Sequence, residues 1–439
     1  MLAYPPHPRD QGCRERGVVE DQLVAAGTRF MREVNAAAIL RQLRTGPSMS
    51  VSALAKAVGL SRQAVSRSLN ALVDEGLVEF GSLDRNSARA GRPAQLVRFR
   101  AEAGYVLGLS VSPQDLRVAV SDLAGTVAAS EVVQLGAGVS GEVAVKALLD
   151  TVEQTLASTE VAAGDVWFAS VGASGIVDPA TGVIRLIPSM PGLTGDILVR
   201  RLKDALGCPV YVDNDVKLAT QGERWRGAER REDSLVMVHW GERVGAGIVL
   251  NGELHRGASN DAGDLGFLDL FADGPGAGPA GAARRPHGLG PFEGWVGGAE
   301  IVRLATRAAE QAGDDAFRDR LDAAGDRAFD AVLDAVVDGT PAALETVDEV
   351  ARRFAKGVAA IRVILDPRLV VIGGPMARCG ETLLAAVRRH LSDHELDQPA
   401  LAVSTLREHA VVHGAVHHSL DEIERTRFGL VPGARQEAR

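Results

Sequence analysis

Two long parts of the sequence repeat the same order of predicted elements, and this repeat restricts the fold more than any other feature. In the first part, a helix over Gly141–Ser158 and a strand over Val166–Ala173 follow three consecutive strands. Those three strands are predicted at Tyr105–Val111, Leu116–Ser121 and Val127–Val133. In the second part, which follows Tyr211, three strands are predicted at Leu235–His239, Gly245–Leu250 and Glu253–His255. The sequence therefore predicts two α/β lobes of similar plan.

Length and composition favour a multi-domain chain in the cytoplasm. At 439 residues the chain is too long for one compact core, and it contains no run of eighteen apolar residues. Residues Met1–Thr28 have prolines and scattered charge instead of an apolar signal core, and they are expected to form a disordered tail. Cys13, Cys208 and Cys379 lie far apart, which excludes a disulfide framework and a cysteine metal knuckle. We therefore expect no membrane partner, no metal and no cofactor.

The charge of the chain is unevenly distributed. The net charge is −9 overall, whereas residues 29–102 contain 12 Lys/Arg and 6 Asp/Glu, a balance of +6. Residues 1–28 have a balance of −1, which leaves −14 for the remainder. A basic module joined to an acidic body is typical of a nucleic-acid-binding domain fused to a soluble partner domain.

Residues Leu54–Ser61 have the pattern of a helix-turn-helix. The small side chain of Ala55 lets two helices approach, Gly59 can adopt the positive φ of a tight turn, and Ser61 can cap the helix that follows. On that helix Ala64, Val65, Leu69, Leu72 and Val73 are expected to face inward. The outward residues, which we predict to contact double-stranded DNA together with Ser61, are Arg62, Gln63, Ser66, Arg67 and Asn70. The alternative is an ordinary three-helix cluster, which also needs a polar outer face.

A predicted β-hairpin directly after this helix has the features of a wing. Arg85, Arg89 and Arg92 lie in a loop rich in small residues between the strands Leu77–Phe80 and Gln95–Phe99. Gly91-Arg92-Pro93 is narrow and stiff enough for Arg92 to enter a minor groove, although a solvated charged loop is the alternative. The hairpin is expected to add affinity more than base discrimination.

Four motifs, in family order, make the region from Tyr105 to Asp421 resemble the ROK family, which contains bacterial sugar kinases and repressors evolved from them. The motifs are Val171–Asp178, Pro209–Asp215, Gly245–Gly252 and Asp366–Gly374. With the winged helix ahead of it, the chain resembles the repressor branch that answers to xylose, N-acetylglucosamine or glucose. The resemblance implies two actin-like lobes of the ribonuclease-H type with a cleft between them.

The resemblance also implies roles for Asn214 and Asp215. In family kinases the matching Asp takes the proton from a sugar hydroxyl, and the preceding Asn bonds sugar hydroxyls. Here both residues follow the predicted strand Val210-Tyr211-Val212, at whose carboxyl end α/β folds place ligands. The alternative is that the pair only caps the helix beginning at Val216.

Departures from the kinase pattern predict that the chain is not an enzyme. The family's first phosphate loop, Asp-x-Gly-Gly-Thr, is replaced here by Gly108–Ser112, followed by Pro113. Its second phosphate loop, Gly-Thr-Gly-x-Gly, is replaced by Gly241–Gly245. The second change places Glu242 near the position of phosphate. Phosphoryl transfer depends on positioning and charge stabilisation, so the loss of both loops removes most of the rate.

The sugar half of the family pattern is partly kept. In the family motif Gly-Glu-x-Gly-His, Asp264 stands here in place of the Glu, and Phe267 in place of the His. The family's cysteine-rich zinc loop is replaced by a Gly/Pro-rich stretch at 271–290. Glu293 matches a family carboxylate, and Ser189 stands where an Asn is usual. We therefore predict a sugar effector bound by Asn214, Asp215, Asp264 and Glu293, with Phe267 as a stacking face. The alternative is that the pocket has been lost.

Other residues do not support a site. His413, His417 and His418 have a helical spacing that can chelate a metal, but they match the family's last helix, and we expect them to pack or face water. Trp225, Trp240 and Trp295 are interpreted as core or lobe-interface residues.

Together these patterns predict an α/β protein in four parts. They are a tail at 1–28, a winged helix-turn-helix domain at 29–103, a ROK sensor domain at 104–425 and a tail at 426–439. The first lobe is expected at about 104–212 plus the last helix, and the second at about 213–408. We expect a repressor of carbohydrate genes, as a homodimer or a dimer of dimers on a DNA operator. The alternatives are a ligand-blind repressor whose sensor only dimerises, and an active sugar kinase with a DNA-binding domain.

Overall fold

The structure is a computed structural model, which describes most of the chain after residue 30. It covers residues 31, 33–44, 46–83, 95–136, 138–187, 190, 192–227, 232–270, 290–392 and 396–428. The predicted tail at 1–28 and the Gly/Pro-rich stretch at 271–290, apart from Gly290, lie outside these residues, as do Ser189, Arg85, Arg89 and Arg92. Two compact units are present. The first comprises Met1–Tyr105, Asp122–Thr126 and Leu420–Arg439, and the second Val106–Ser121 and Val127–Ser419.

The first unit contains the predicted helix-turn-helix and hairpin. Its helices are α1 (33–44), α2 (Val51–Val58) and α3 (Arg62–Asp74), and its strands are β1 (Met49–Ser50), β2 (Val78–Leu83) and β3 (Gln95–Phe99). The strands form an antiparallel sheet in the order β1-β3-β2. Gly59 ends α2 with a φ of 70°, and its amide donates to the Ala55 carbonyl. The predicted winged helix-turn-helix is therefore confirmed.

The second unit contains two five-stranded sheets. The first sheet has the order β10-β7-β4-β5-β6 and the second the order β13-β12-β11-β14-β15. The strands of the first are β4 (Tyr105–Val111), β5 (Asp115–Asp122), β6 (Val127–Gln134), β7 (Val166–Ala173) and β10 (Val210–Asn214). Those of the second are β11 (Leu235–Trp240), β12 (Val244–Leu250), β13 (Glu253–His255), β14 (Leu369–Gly373) and β15 (Ala400–Val403).

Both sheets have the same plan. In each sheet the first three strands along the chain are neighbours in sequence order, β4-β5-β6 in one and β11-β12-β13 in the other. The two later strands of each sheet lie on the other side of its first strand, β7 and β10 beside β4, and β14 and β15 beside β11. The outer pairs are antiparallel on one side (β5 with β6, β12 with β13) and parallel on the other (β7 with β10, β14 with β15). This repeated order confirms the two α/β lobes predicted from the sequence.

Helices of the second unit cover these sheets. Within the described residues they are α4 (Gly141–Ser158), α5 (Ile197–Leu206), α6 (Asp215–Arg226), α7 (Glu293–Val296), α8 (Gly298–Ala312), α9 (Asp315–Ala324), α10 (Ala328–Val337), α11 (Pro341–Leu365), α12 (Gly380–Leu391) and α13 (Ala410–Thr426). A two-stranded ribbon of β8 (Ile176–Asp178) and β9 (Val183–Leu186) was not predicted. None of the helices that the structure describes is long and apolar enough to cross a membrane.

The core of the second lobe is built around Trp240. Its indole stacks on Phe354 of α11 with ring centroids 3.9 Å apart, and its Nε1 donates to the Val296 carbonyl at 2.7 Å. Both aromatic side chains are buried within a cluster that includes α8, α10 and α12. The interpretation of Trp240 as a core residue is therefore confirmed, and β11 is fixed at the end where the candidate cleft begins.

Candidate nucleic-acid interface and ligand cleft

Helix α3 presents the predicted polar face. The Ser61 hydroxyl accepts from the Ala64 amide at 3.2 Å and so caps the helix at its start. Val65, Leu69 and Leu72 are buried on the inner side. The predicted contact residues are all exposed, namely Ser61, Arg62, Gln63, Ser66, Arg67 and Asn70. The structure thus brings these six predicted residues together on one surface.

Two details of the inner face of α3 differ from the prediction. Val73 is 37% exposed instead of buried, because it lies in the last turn, next to the helix end at Asp74. Ser68 takes an inward position instead, with 6% exposure. Position 73 fits the spacing of the apolar stripe, but it is the last residue but one of the helix, where less of the unit remains to cover it.

Most of the arginines that the structure describes in the first unit are paired with carboxylates. Arg98 bonds Glu79 at 2.6 Å and Glu102 at 2.8 Å, and Arg44 pairs with Glu424 at 2.8 Å. Arg62 and Arg67, in contrast, form no ion pair with any residue that the structure describes. Helix α3 therefore offers unpaired positive charge, which is the chemistry that phosphates and base edges attract.

In the second unit, Asn214 and Asp215 lie where β10 ends and α6 begins. The Asn214 Oδ1 accepts from the Lys217 amide at 3.2 Å, so this residue caps α6, and its Nδ2 donates to the Gly175 carbonyl at 3.0 Å. The Asp215 carboxylate accepts from the Val216 amide at 2.8 Å and from the Ser174 hydroxyl at 2.5 Å. Each Asp215 oxygen can still accept a further hydrogen bond.

His239, near the end of β11, is the ionisable group that acts most strongly on the charge of Asp215, and it was not predicted from the sequence. Burial raises the pKa of Asp215, and the charge of His239 opposes this rise. Burial lowers the pKa of His239, which favours the neutral imidazole. The sequence signal for His239 is its position on the strand that leads into Gly241–Gly245, the segment that replaces the family's second phosphate loop.

A buried ion pair next to this site also escaped the sequence analysis. Asp213 is fully buried and pairs with Arg256 at 2.7 Å, and its carboxylate accepts from the Tyr211 hydroxyl at 2.8 Å. Asp213 belongs to β10 of the first sheet, whereas Arg256 follows β13 of the second. The pair therefore joins the two lobes.

The segment from Arg256 to Asp264 is held by further bonds to the first lobe. Asn260 donates to the Val177 carbonyl at 3.0 Å, and its own carbonyl accepts from the Lys217 ammonium. Arg185 of β9 pairs with Asp261 at 2.9 Å. We call residues 256–264 the bridging segment. Its bonds fix the position at which the predicted ligand residue Asp264 stands.

Asp264, at the end of the bridging segment, has a carboxylate that can accept hydrogen bonds from a ligand. It is partly buried, and its side chain makes no hydrogen bond to a residue that the structure describes. Burial raises the pKa of Asp264, although the nearby Lys217 ammonium lowers it. Phe267, the predicted stacking residue, follows closely and is 54% exposed.

Glu293 is placed differently from the other predicted ligand residues. Its side chain is 4% exposed, and its oxygens accept from Arg243 Nε and from the amides of Val244 and Gly290, each at 3.0 Å. These donors belong to the protein. Glu293 therefore fixes the start of β12, and a sugar hydroxyl would have to compete with three existing bonds.

Side chains of the protein itself bond the backbone amides in both segments that replace the family's phosphate loops. In the first, the Ser112 hydroxyl accepts from the amides of Gln114 and Asp115 at 3.2 and 3.0 Å. In the second, the Val244 amide donates to Glu293, and partial desolvation raises the pKa of the Glu242 carboxyl. Amides that already donate to a side-chain oxygen in this way are not available to a phosphate.

The histidines of α13 pack against aromatic rings. Tyr211 stacks on His418 at 3.7 Å between ring centroids, and Trp225 lies 5.2 Å from His417 and 6.5 Å from His413. No group of three or more His, Cys, Asp or Glu that could hold a metal occurs within the described ranges. Packing, as predicted, accounts for the position of these rings.

Acid is expected to destabilise the second unit through His413. Burial, together with the charges of Arg226 and His409, lowers the pKa of His413 to about 4. Its buried Nδ1 has no hydrogen-bond partner among described residues. The unfolded chain binds this proton near pH 6.5, so stability is complete above that pH and is lost as the pH falls toward 4. The melting temperature of His413→Gln should therefore decrease less than that of the wild type when the pH is lowered from 7.5 to 5.0. An equal loss in both proteins would contradict this role, and the exposed His255→Gln is the control.

Comparison with known families covers both units. A model of the ROK family matches residues 106–420, and a model of the MarR family matches residues 33–90. The first match covers the whole of the second unit. The second match includes α1, α2, α3 and β2.

Individual relatives extend these matches. The xylose repressor of Caldicellulosiruptor bescii is 22% identical over 394 residues, which cover 88% of this chain and 95% of that protein. A glucokinase of Halalkalibacterium halodurans is 25% identical over 296 residues, covering 67% of this chain and 88% of that enzyme. A crystal structure titled as a ROK family transcriptional regulator, homolog of E. coli MLC protein, has a TM-score of 0.68 at 19% identity, covering 91% and 99% of the two chains. At that identity the structural likeness shows the fold alone.

Proposed function

The chain belongs to the ROK family, and from this premise we propose that it is a repressor of carbohydrate-metabolism genes. In this proposal the first unit binds operator DNA, and the second unit binds a sugar effector without phosphorylating it. The observation that carries the DNA-binding part is the exposed face of α3 with its unpaired Arg62 and Arg67, in a unit that matches the MarR family. The contacts proposed on this face are Ser61, Arg62, Gln63, Ser66, Arg67 and Asn70, with Arg92 of the hairpin added from the sequence.

The ligand site proposed in the second unit consists of Asn214, Asp215 and Asp264. Asp215 and Asp264 retain free acceptor capacity, which suits sugar hydroxyls. Glu293, a ligand residue in the sequence prediction, is proposed to act as a positioning residue, since its oxygens hold Arg243, Val244 and Gly290. Sugar binding between the lobes is proposed to change DNA affinity by a coupling free energy of about 1 to 3 kcal/mol.

We expect no sugar kinase activity from the full chain. With ATP, Mg²⁺ and D-glucose, D-xylose or N-acetyl-D-glucosamine, product formation should not exceed that of the Asp215→Asn variant. The physical reason is that both loops that would hold nucleotide phosphates are occupied by Ser112 and Glu293. A kinase of the same family serves as the positive control. Turnover that disappears in Asp215→Asn would show an active kinase and contradict the proposal.

The experiment that tests the proposed function is genomic mapping of the DNA that the full chain retains. Enrichment of sites near genes of sugar uptake and catabolism is expected, with two-fold symmetric sequences if a homodimer or a dimer of dimers binds. Retention without any enriched sequence would contradict a specific regulator. Operator release that no sugar or sugar phosphate affects would instead favour the ligand-blind repressor.

A further inference from the structure

We infer that Glu424, near the end of α13, is a positioning residue of the DNA-binding unit, in which it holds α1 through Arg41 and Arg44. The inference rests on the proposed DNA-binding function, and it adds a residue from outside the helix-turn-helix and its hairpin. The sequence interpretation assigns Glu424 to the sensor domain at 104–425. In the structure the chain from Leu420 onwards belongs to the first unit.

The end of α13 has the apolar residues of a core element. Leu420, Ile423 and Phe428 are all buried. Leu420 and Ile423 are three positions apart, so they lie on the same side of the helix. The compact unit to which they belong also contains α1, α2, α3 and the hairpin. The first unit is therefore built from two parts of the chain that are far apart in sequence.

The Glu424 carboxylate uses both of its oxygens to bond α1. Its Oε1 accepts from Nε and Nη2 of Arg41 at 3.2 and 3.1 Å, and its Oε2 pairs with Arg44 Nη2 at 2.8 Å. Arg41 and Arg44 are three positions apart and share one side of α1. The side chains of Glu424 and Arg44 are each only 20% exposed, so water screens this pair less than a pair at the open surface. Two charge-assisted contacts from one carboxylate fix both the rotation and the position of α1.

Helix α1 is in turn bonded to the segment that begins the helix-turn-helix. Gln42 Nε2 of α1 contacts Met49 Sδ at 3.9 Å. Met49 and Ser50 form β1, which pairs with β3 of the hairpin, and the Ser50 hydroxyl caps α2 by accepting from the Ala53 amide at 3.3 Å. Helix α2 leads through the tight turn at Gly59 into α3. A displaced α1 would therefore shift the start of the helix-turn-helix and the strand next to it.

A positioning role has a different effect on DNA binding from the role of a phosphate contact. Bonds to base edges need accurate placement of α3, whereas the attraction of positive charge to phosphates depends little on it. Glu424 is negative, and its loss leaves Arg62 and Arg67 in place on α3. Removing its charge should therefore weaken binding to the operator without weakening binding to unrelated duplex DNA.

Binding of full-length Glu424→Gln to the mapped operator and to a scrambled duplex of equal length tests this inference. Glutamine keeps the shape of the side chain and removes its charge. The operator Kd should rise by about three- to tenfold, which is the loss expected from two partly screened ion pairs. The Kd for the scrambled duplex and the salt dependence of operator binding should stay as in the wild type. Glu422→Gln is the matched control, because Glu422 pairs with Arg425 of the same helix, and it should change none of these quantities.

Two further measurements separate positioning from other roles. Arg44→Gln should weaken operator binding to a similar extent, and the double variant with Glu424→Gln should lose little more, since both changes remove the same contact. Hydrogen exchange without DNA should be faster at the amides of α1 in Glu424→Gln than in the wild type or in Glu422→Gln. A thermal melt checks that each variant is folded at the temperature of the assay.

Three results would overturn the inference. One is an unchanged operator Kd in Glu424→Gln, and another is an equal loss of affinity for operator and scrambled duplex, which indicates a general loss of the folded unit. The third is tighter binding with a steeper salt dependence, which would show that Glu424 keeps the two arginines away from phosphates. A wild-type chain that binds no operator would overturn the proposed regulator itself, and the exchange of α1 would still show whether Glu424 holds this helix.

Discussion

Replacing Arg256 by methionine is expected to lower the free energy of unfolding of the second unit by about 3 to 5 kcal/mol. The Asp213 carboxylate is fully buried and receives both the Arg256 guanidinium and the Tyr211 hydroxyl. Methionine would fill part of the space but leave a buried negative charge without its counter-ion. All four tryptophans of the chain lie in the second unit, so intrinsic fluorescence in a urea titration reports its unfolding directly.

Three further variants make this expectation specific to the ion pair. Asp213→Asn should cost less, because the guanidinium that it leaves is 30% exposed and can be hydrated. The double variant should recover part of the Arg256→Met loss, since it contains no buried charge. Lys146→Met removes an exposed helix pair with Asp150 and should cost less than about 1 kcal/mol. Equal losses for Arg256→Met and Lys146→Met would show that the lobes are not joined through this pair.

Replacing Arg62 or Arg67 by alanine is expected to weaken operator binding by about 1 to 3 kcal/mol each, or roughly 5- to 150-fold in Kd. Both side chains are exposed on α3, and neither has an ionic partner among described residues. The fold should be preserved, because neither side chain belongs to the buried stripe of Val65, Leu69 and Leu72. Fluorescence anisotropy with a mapped operator measures the change, and a thermal melt checks the fold.

Arg98→Ala is the matched control within the same unit. Its guanidinium is also exposed, but Glu79 and Glu102 already neutralise it. Its removal should change the operator Kd by less than the removal of either α3 arginine. A larger effect at Arg98 than at Arg62 and Arg67 would place the DNA contact on the sheet instead of α3.

The elements of the fold follow closely from local sequence signals. Most strands of the two lobes were predicted because their apolar runs are bounded by turn residues. Helix α3 was predicted because Ser61 caps an apolar stripe. The ribbon β8–β9 and the strand β15 were missed. Short segments of this kind are stabilised by their neighbours more than by their own composition.

The candidate site was harder to predict, since its chemistry depends on contacts between distant parts of the chain. Asp213 lies directly beside the predicted pair Asn214 and Asp215, yet only the structure shows that it pairs with Arg256 of the other lobe. The sequence likewise identifies Glu293 as a family carboxylate but does not reveal the three protein donors that occupy it. Burial and partners, which decide what a carboxylate can bind, have no local sequence signal.

The central claim, that the α3 face docks onto DNA phosphates and bases, is tested most directly by the salt dependence of operator binding. The logarithm of the wild-type association constant should fall steeply and linearly with the logarithm of salt concentration between about 50 and 200 mM. In the double variant Arg62→Ala/Arg67→Ala, affinity should fall, and each lost phosphate contact should make the slope shallower by about 0.9. An unchanged slope and affinity in the double variant would contradict the account.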